Sequence, residues 1–169
     1  MTSNAQPLLA DGTTTVLPPG TTAPDFTLQS NLDHPISLRD YRGHPVILVF
    51  YPADWSPVCT DQLAVYNEIL PEFQRYDAAI LGLSVDGKWC HRAFATDRHL
   101  DFPLLSDFEP KGAVSRHYRA YISGDGTSAR ALFVVDPEGK IHWSYLSPIA
   151  VNPGANGILA ALEDLAQAH

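Results

Sequence analysis

Val46-Ile47-Leu48-Val49-Phe50-Tyr51 is an apolar, largely β-branched run with no alternation of polar residues. A strand with one face in water alternates; a strand without alternation is covered on both faces, as in a sheet sandwiched between helices. The run ends at a proline-bounded turn, "PADWSPVC". From Cys59 onward, Leu63, Tyr66, Ile69, Leu70 and Phe73 recur at helical spacing and predict an amphipathic helix, which Pro71 should kink or restart. A second covered strand is expected over residues 79–85, ending at Asp86-Gly87, with a helix from Trp89 through Ala93 and Phe94 to about Leu100.

The flanking segments extend this pattern. Residues 25–28 and 35–38 surround the polar "QSNLDH" and predict an opening hairpin. Residues 102–107 should be short and extended, and "EPKGAVSRHY" should start a helix with its proline in the first turn. Segments 129–135 and 140–146 flank the turn Asp136-Pro137-Glu138-Gly139, and Ile158, Leu159, Leu162 and Leu165 mark a closing helix. This order predicts an α/β chain: a thioredoxin-like sandwich with a central mixed sheet, helices on both faces and an extra N-terminal hairpin.

A chain of 169 residues forms one domain with a core of its own, expected over residues 20–169. Residues 1–19 contain no Lys or Arg and read as a tail, a flexible arm or an extra edge segment. Leu8-Leu9-Ala10 is too short for the apolar stretch of a signal peptide, and no apolar run approaches membrane-spanning length. A net charge of −8 argues against nucleic acid and against anionic membrane as partners. Two cysteines cannot make a secreted disulfide framework; they fit a reducing compartment, so a cytoplasmic location is expected.

Cys59 has two readings. It is a small buried apolar filler, or a thiolate nucleophile held by helix-start amides and a nearby cation. In a thioredoxin-type oxidoreductase this turn carries two cysteines two residues apart. Here Ser56 stands at the first of those positions, so dithiol exchange within the turn is excluded. A hydroxyl three residues before a nucleophilic sulfur suits a peroxide, which needs a thiolate, donors for its oxygens and a cation for the departing one.

Pro52-x-x-x-Ser56-x-x-Cys59 resembles the active-site motif of the peroxiredoxin family. "APDFTL" (23–28), "SVDGKWCHRAF" (84–94), "FPLLSDFEPKGAVSRHY" (102–118) and "ARALFVVDPEGKIHWSY" (129–145) are similar to its other segments, in order, over residues 20–166. "FPLLSDFEPKGAVS" resembles the one-cysteine alkyl hydroperoxide reductase E type in particular. The resemblance implies a thiol peroxidase for hydrogen peroxide and small organic hydroperoxides. Cys59 would be the peroxidatic cysteine, shielded from water by Pro52, with Ser56 bonding the peroxide. Arg130 matches the arginine that points back at the sulfur; on its own it reads as a solvated strand-edge charge, and the motif reverses that preference. Gln62 stands where the family often has Glu, and Gln62 and Trp55 are candidate walls of the site.

No cofactor is implied. A metal is disfavoured, since Cys90 and His91 are adjacent and no second pair has zinc-ligand spacing. Cys90 is either a buried or interfacial thiol, or a resolving cysteine for Cys59. The one-cysteine reading, with an external thiol or a thioredoxin- or glutaredoxin-like reductant, is preferred, and a homodimer or higher homo-oligomer is implied. The alternative function is a non-enzymatic redox-sensing or chaperone module of the same fold.

Overall fold

The computed structural model describes residues 5–168. Nine strands and five α-helices follow one another in the order β1 (Thr27–Ser30), β2 (Pro35–Ser37), β3 (Val46–Phe50), α1 (Pro57–Glu68), α2 (Leu70–Gln74), β4 (Ala79–Ser84), α3 (Lys88–Asp97), β5 (Leu104–Ser106), α4 (Ala113–His117), β6 (Tyr121–Ile122), β7 (Thr127–Ser128), β8 (Ala131–Val135), β9 (Ile141–Leu146) and α5 (Asn156–Ala168). Seven strands form one mixed sheet in the order β2-β1-β5-β4-β3-β8-β9. The central β3, β4 and β5 are parallel, and the outer pairs are antiparallel. This is the expected thioredoxin-like sandwich with its N-terminal hairpin.

The pleat explains the apolar run. Ile47 and Val49 point to one face of the sheet, where Leu63, Tyr66, Phe73, Phe94, Ile158 and Leu162 of the helices pack on them. Leu48 and Phe50 point to the other, into a cluster with Phe133, Val114 and Tyr118. Tyr118 is its centre: its ring meets Phe26, Phe50 and Phe133 with centroids 6.4, 5.2 and 5.1 Å away. Truncating such a buried aromatic side chain typically costs about 3–5 kcal/mol. Pro71 restarts the helix as expected, because its ring sits in the first turn of α2.

Two expectations are corrected. Of the segment read as a flexible arm or edge segment, residues 1–4 lie outside the described residues, and residues 5–19 strap across the second face. Leu9, Val16 and Leu17 are buried in the core there. Ala10 N donates to the Tyr121 carbonyl at 2.8 Å, and Leu17 N to that of Tyr118 at 3.2 Å. Three apolar side chains spaced through a polar stretch carry this packing, and no periodicity marks them. The helix expected from Pro110 instead begins at Ala113, after a turn in which Gly112 adopts φ 72°. Asp107 fixes that start: its carboxylate accepts from Val114 N at 3.0 Å and from Ser115 N and Oγ at 2.9 Å each.

Candidate active site

Parallel β3 and β4 end side by side, and each is followed by a turn and a helix. The carboxyl edge of such strands is where α/β sheets commonly place their chemistry. In the first turn, Trp55 holds φ 71°, uncommon for a bulky residue, and turns the chain into the helix cap. Ser56 is the cap of α1, and its Oγ accepts from Cys59 N at 3.3 Å. Cys59 is thereby the third residue of the helix, where free amides and the helix dipole favour negative charge. It is fully buried.

Arg130 comes from the residue just before β8, which pairs with β3 so that Phe50 faces Ala131. Its guanidinium is almost wholly buried. Arg130 Nη1 donates to Cys59 Sγ at 3.3 Å and to Gln62 Oε1 at 2.8 Å. Nε and Nη2 both donate to the Ile149 carbonyl, at 3.0 and 2.9 Å. A buried cation in contact with a sulfur is the environment that makes a cysteine nucleophilic, and the solvated-charge reading of Arg130 does not hold.

Gln62, expected as a wall, is fully buried and engaged by Arg130, so it is the cation's partner instead. Pro52 is half-buried, two residues past the end of β3. Trp55 is 47% exposed and sets its ring edge-on against Phe94 of α3, with centroids 5.1 Å apart. It belongs to the Cys90 side of the turn.

Sequence reasoning missed the clamp beneath this turn. Asp54 is buried; it accepts from Tyr51 OH at 2.6 Å and pairs with His91 Nδ1 at 2.7 Å. Its backbone N donates to Asp86 Oδ2 at 2.9 Å, which ties the first turn to the second. Ser84 Oγ also donates to Asp86, and Ser106 Oγ to the Asp86 carbonyl. Burial, with Asp54 beside it, holds the Tyr51 hydroxyl well above the usual tyrosine range. Among the described residues, Asp54, Asp86 and His91 are the group whose side-chain atoms converge as metal ligands do. Both His91 nitrogens are engaged, however, Nδ1 by Asp54 and Nε2 by the Leu105 carbonyl at 3.0 Å, so a metal would have to break that pair.

Cys90 is the third residue of α3 and only partly buried. Burial and then the Asp54 and Asp86 carboxylates push its thiol up to about 11. The Cys90 thiol lies 4.0 Å from Asp86 Oδ1. A thiol so placed is neutral near pH 7 and is a poor attacking group.

A cavity of about 490 Å³ lies away from Cys59; Trp89, Phe108, Lys88 and Glu109 are among its lining residues.

Fold and site together define a thioredoxin-like protein with one arginine-bound cysteine at a helix start. The AhpC/TSA family matches residues 19–144, and the chain belongs to that family, the peroxiredoxins. It is 42% identical over 126 residues to alkyl hydroperoxide reductase E of Mycobacterium tuberculosis, covering 74% of this chain and 82% of that one. It is 30% identical over 152 residues to a peroxiredoxin of Thermoplasma volcanium, covering 86% of this chain and 73% of that one. Among solved structures, peroxidoxin BcpB of Mycobacterium tuberculosis superposes with a TM-score of 0.80 at 29% identity, over 88% of this chain and 98% of that one.

Proposed function

We infer that the protein is a thiol-dependent peroxidase that reduces hydrogen peroxide and small organic hydroperoxides through Cys59. The observation that carries this is the 3.3 Å contact of Arg130 Nη1 with Cys59 Sγ at the start of α1. The relatives named above are reductases and peroxiredoxins, which favours the enzyme over a non-enzymatic module.

In the reaction the Cys59 thiolate attacks the hydroxyl oxygen of ROOH. An S–O bond forms, the O–O bond breaks, and RO⁻ departs and takes a proton to become ROH. The sulfur is left as sulfenic acid, oxidised by two electrons. Cys59 is covered, so peroxide needs an opening in its surroundings to reach the sulfur. Arg130 stabilises the charge that passes from sulfur to the departing oxygen. Ser56 caps the helix through a lone pair of its oxygen and so keeps its own proton to donate to the peroxide. Pro52 covers the approach from solvent.

An external thiol restores the enzyme. It attacks the sulfenic sulfur, releasing water and leaving a mixed disulfide, and a second thiol cleaves that bond. We assign Cys90 no part in this cycle, because the Asp54 and Asp86 carboxylates beside it disfavour its thiolate. We assign the protein to a reducing compartment such as the cytoplasm, where such thiols are abundant.

We propose that the chain assembles as a homodimer or a higher homo-oligomer. Trp89 and Phe108 are 66% and 59% exposed and line the 490 Å³ groove together with Lys88 and Glu109. Aromatic residues with one basic and one acidic neighbour make a patch that can meet its own copy across a two-fold axis.

The test is turnover. Consumption of hydrogen peroxide in the presence of dithiothreitol should be readily measured for the parent chain and lost in Cys59→Ser with the fold intact. Residual turnover at a tenth or more of the parent rate would falsify the assignment.

A further inference from the structure

The guanidinium of Arg130 is held along two routes that converge on one loop, residues 147–155 between β9 and α5. One route is direct, through the two bonds to the Ile149 carbonyl. The other runs through side chains. Arg130 Nη1 donates to Gln62 Oε1, Gln62 Nε2 donates to Tyr66 OH at 3.1 Å, and Tyr66 OH donates to the Gly154 carbonyl at 2.9 Å. The loop is itself tied to the same arginine, because Ser147 N donates to the Arg130 carbonyl at 2.9 Å.

The directions of these bonds carry the argument. A carbonyl can only accept, so the single proton of Tyr66 is committed to Gly154. The phenol oxygen facing Gln62 is then an acceptor and takes the amide NH₂. That leaves the amide oxygen, and no N–H, turned towards Arg130. Reversed, the amide would set two donors against each other in a buried site, at the cost of an unsatisfied group.

We propose that Tyr66, anchored on the Gly154 carbonyl, is a positioning residue that selects the orientation of the Gln62 amide and so aims Arg130 at the Cys59 sulfur. This rests on the peroxidase reading and adds to it a residue that touches neither peroxide nor sulfur. Burial raises the Tyr66 hydroxyl to about 12, so it remains a donor to Gly154 throughout the neutral range.

A glutamate has two equivalent oxygens and nothing to orient. The test is therefore a double-mutant cycle of four proteins: the parent, Tyr66→Phe, Gln62→Glu and the double variant. Stopped-flow measurement of Cys59 oxidation gives the rate with peroxide. Alkylation of Cys59 by iodoacetamide at pH 7, in a Cys90→Ser background, gives a second readout that needs no peroxide. Tyr66→Phe should slow the peroxide reaction about tenfold in the Gln62 background, as misaimed catalytic groups do. The same substitution should change it by less than about twofold on top of Gln62→Glu, since no orientation remains to be lost. The alkylation rates should show the same one-sided pattern. An equal loss in both backgrounds would mean that Tyr66 merely fills space, and no loss in either would mean that it orients nothing. Both overturn the proposal. A parent that fails to react with peroxide overturns the peroxidase reading alone, and the alkylation cycle still decides the role of Tyr66.

Discussion

Cys59 and Cys90 occupy the same place in two adjacent helices. Each is the third residue after its cap, Ser56 in α1 and Gly87 in α3, and each helix follows a central parallel strand. The dipole and the free amides of a helix start are available to both. Their surroundings differ in sign. Arg130 donates to Cys59 from the strand on one side, whereas Cys90 lies against the carboxylates of Asp54 and Asp86 from the neighbouring turns. Position in a helix therefore does not make a nucleophile here. What differs between the two sulfurs is the charge brought to each from another element, a guanidinium to Cys59 and carboxylates to Cys90.

The largest expected effect separates the two sites on the side of Cys59. Arg130→Ala should slow its oxidation by peroxide about 10²–10³-fold, the usual cost of removing one stabilising donor. Stopped-flow oxidation of the purified variant measures this. A rate within threefold of the parent would show that the guanidinium is not what distinguishes the sulfurs.

Between the sites stands the clamp of Asp54, His91 and Asp86, and its loss should register as stability. His91→Ala leaves the buried Asp54 with Tyr51 as its remaining side-chain partner, and leaving part of a buried polar group unsatisfied costs about 1–3 kcal/mol. Urea unfolding followed by fluorescence gives the value. A loss below 1 kcal/mol would mean that Asp54 stays satisfied by Tyr51 alone.

Much of this comparison was legible in the sequence. The unbroken apolar run of β3 announced a strand covered on both faces, and Pro52, Ser56 and Cys59 announced the turn. The spacing of Leu63 and Tyr66 announced α1, and that of Phe73 carried the pattern on into α2. Resemblance, and not spacing, singled out Arg130, because 71 residues separate it from Cys59 and only the pairing of β3 with β8 brings them together. The rest depends on contacts between elements. Asp54 and His91 are 37 residues apart, and Gly154 meets Tyr66 through a backbone carbonyl that no side chain advertises. The strap of residues 5–19 was misread for a related reason: three buried side chains in a polar stretch have no period to betray them.

On the side of Cys90 the expected effects are smaller. Its thiol is raised, so in a Cys59→Ser background its alkylation should be slow at pH 7 and climb as the pH approaches about 11. Asp86→Asn removes one of the two carboxylates and should move that profile to lower pH. The move should be modest, because burial is the leading cause of the raised value and remains in place. A profile that does not move would place the effect of charge at Asp54 alone.

The central claim is that two sulfurs in equivalent helix positions differ in reactivity because of their neighbours. It is tested most directly by exposing the reduced protein to one equivalent of hydrogen peroxide, trapping sulfenic acid with dimedone within seconds, and mapping the peptides. The account predicts the dimedone adduct on Cys59, Cys90 recovered as a free thiol, and no disulfide between them. An adduct shared equally by the two cysteines, or a rapidly formed Cys59–Cys90 disulfide, would contradict it.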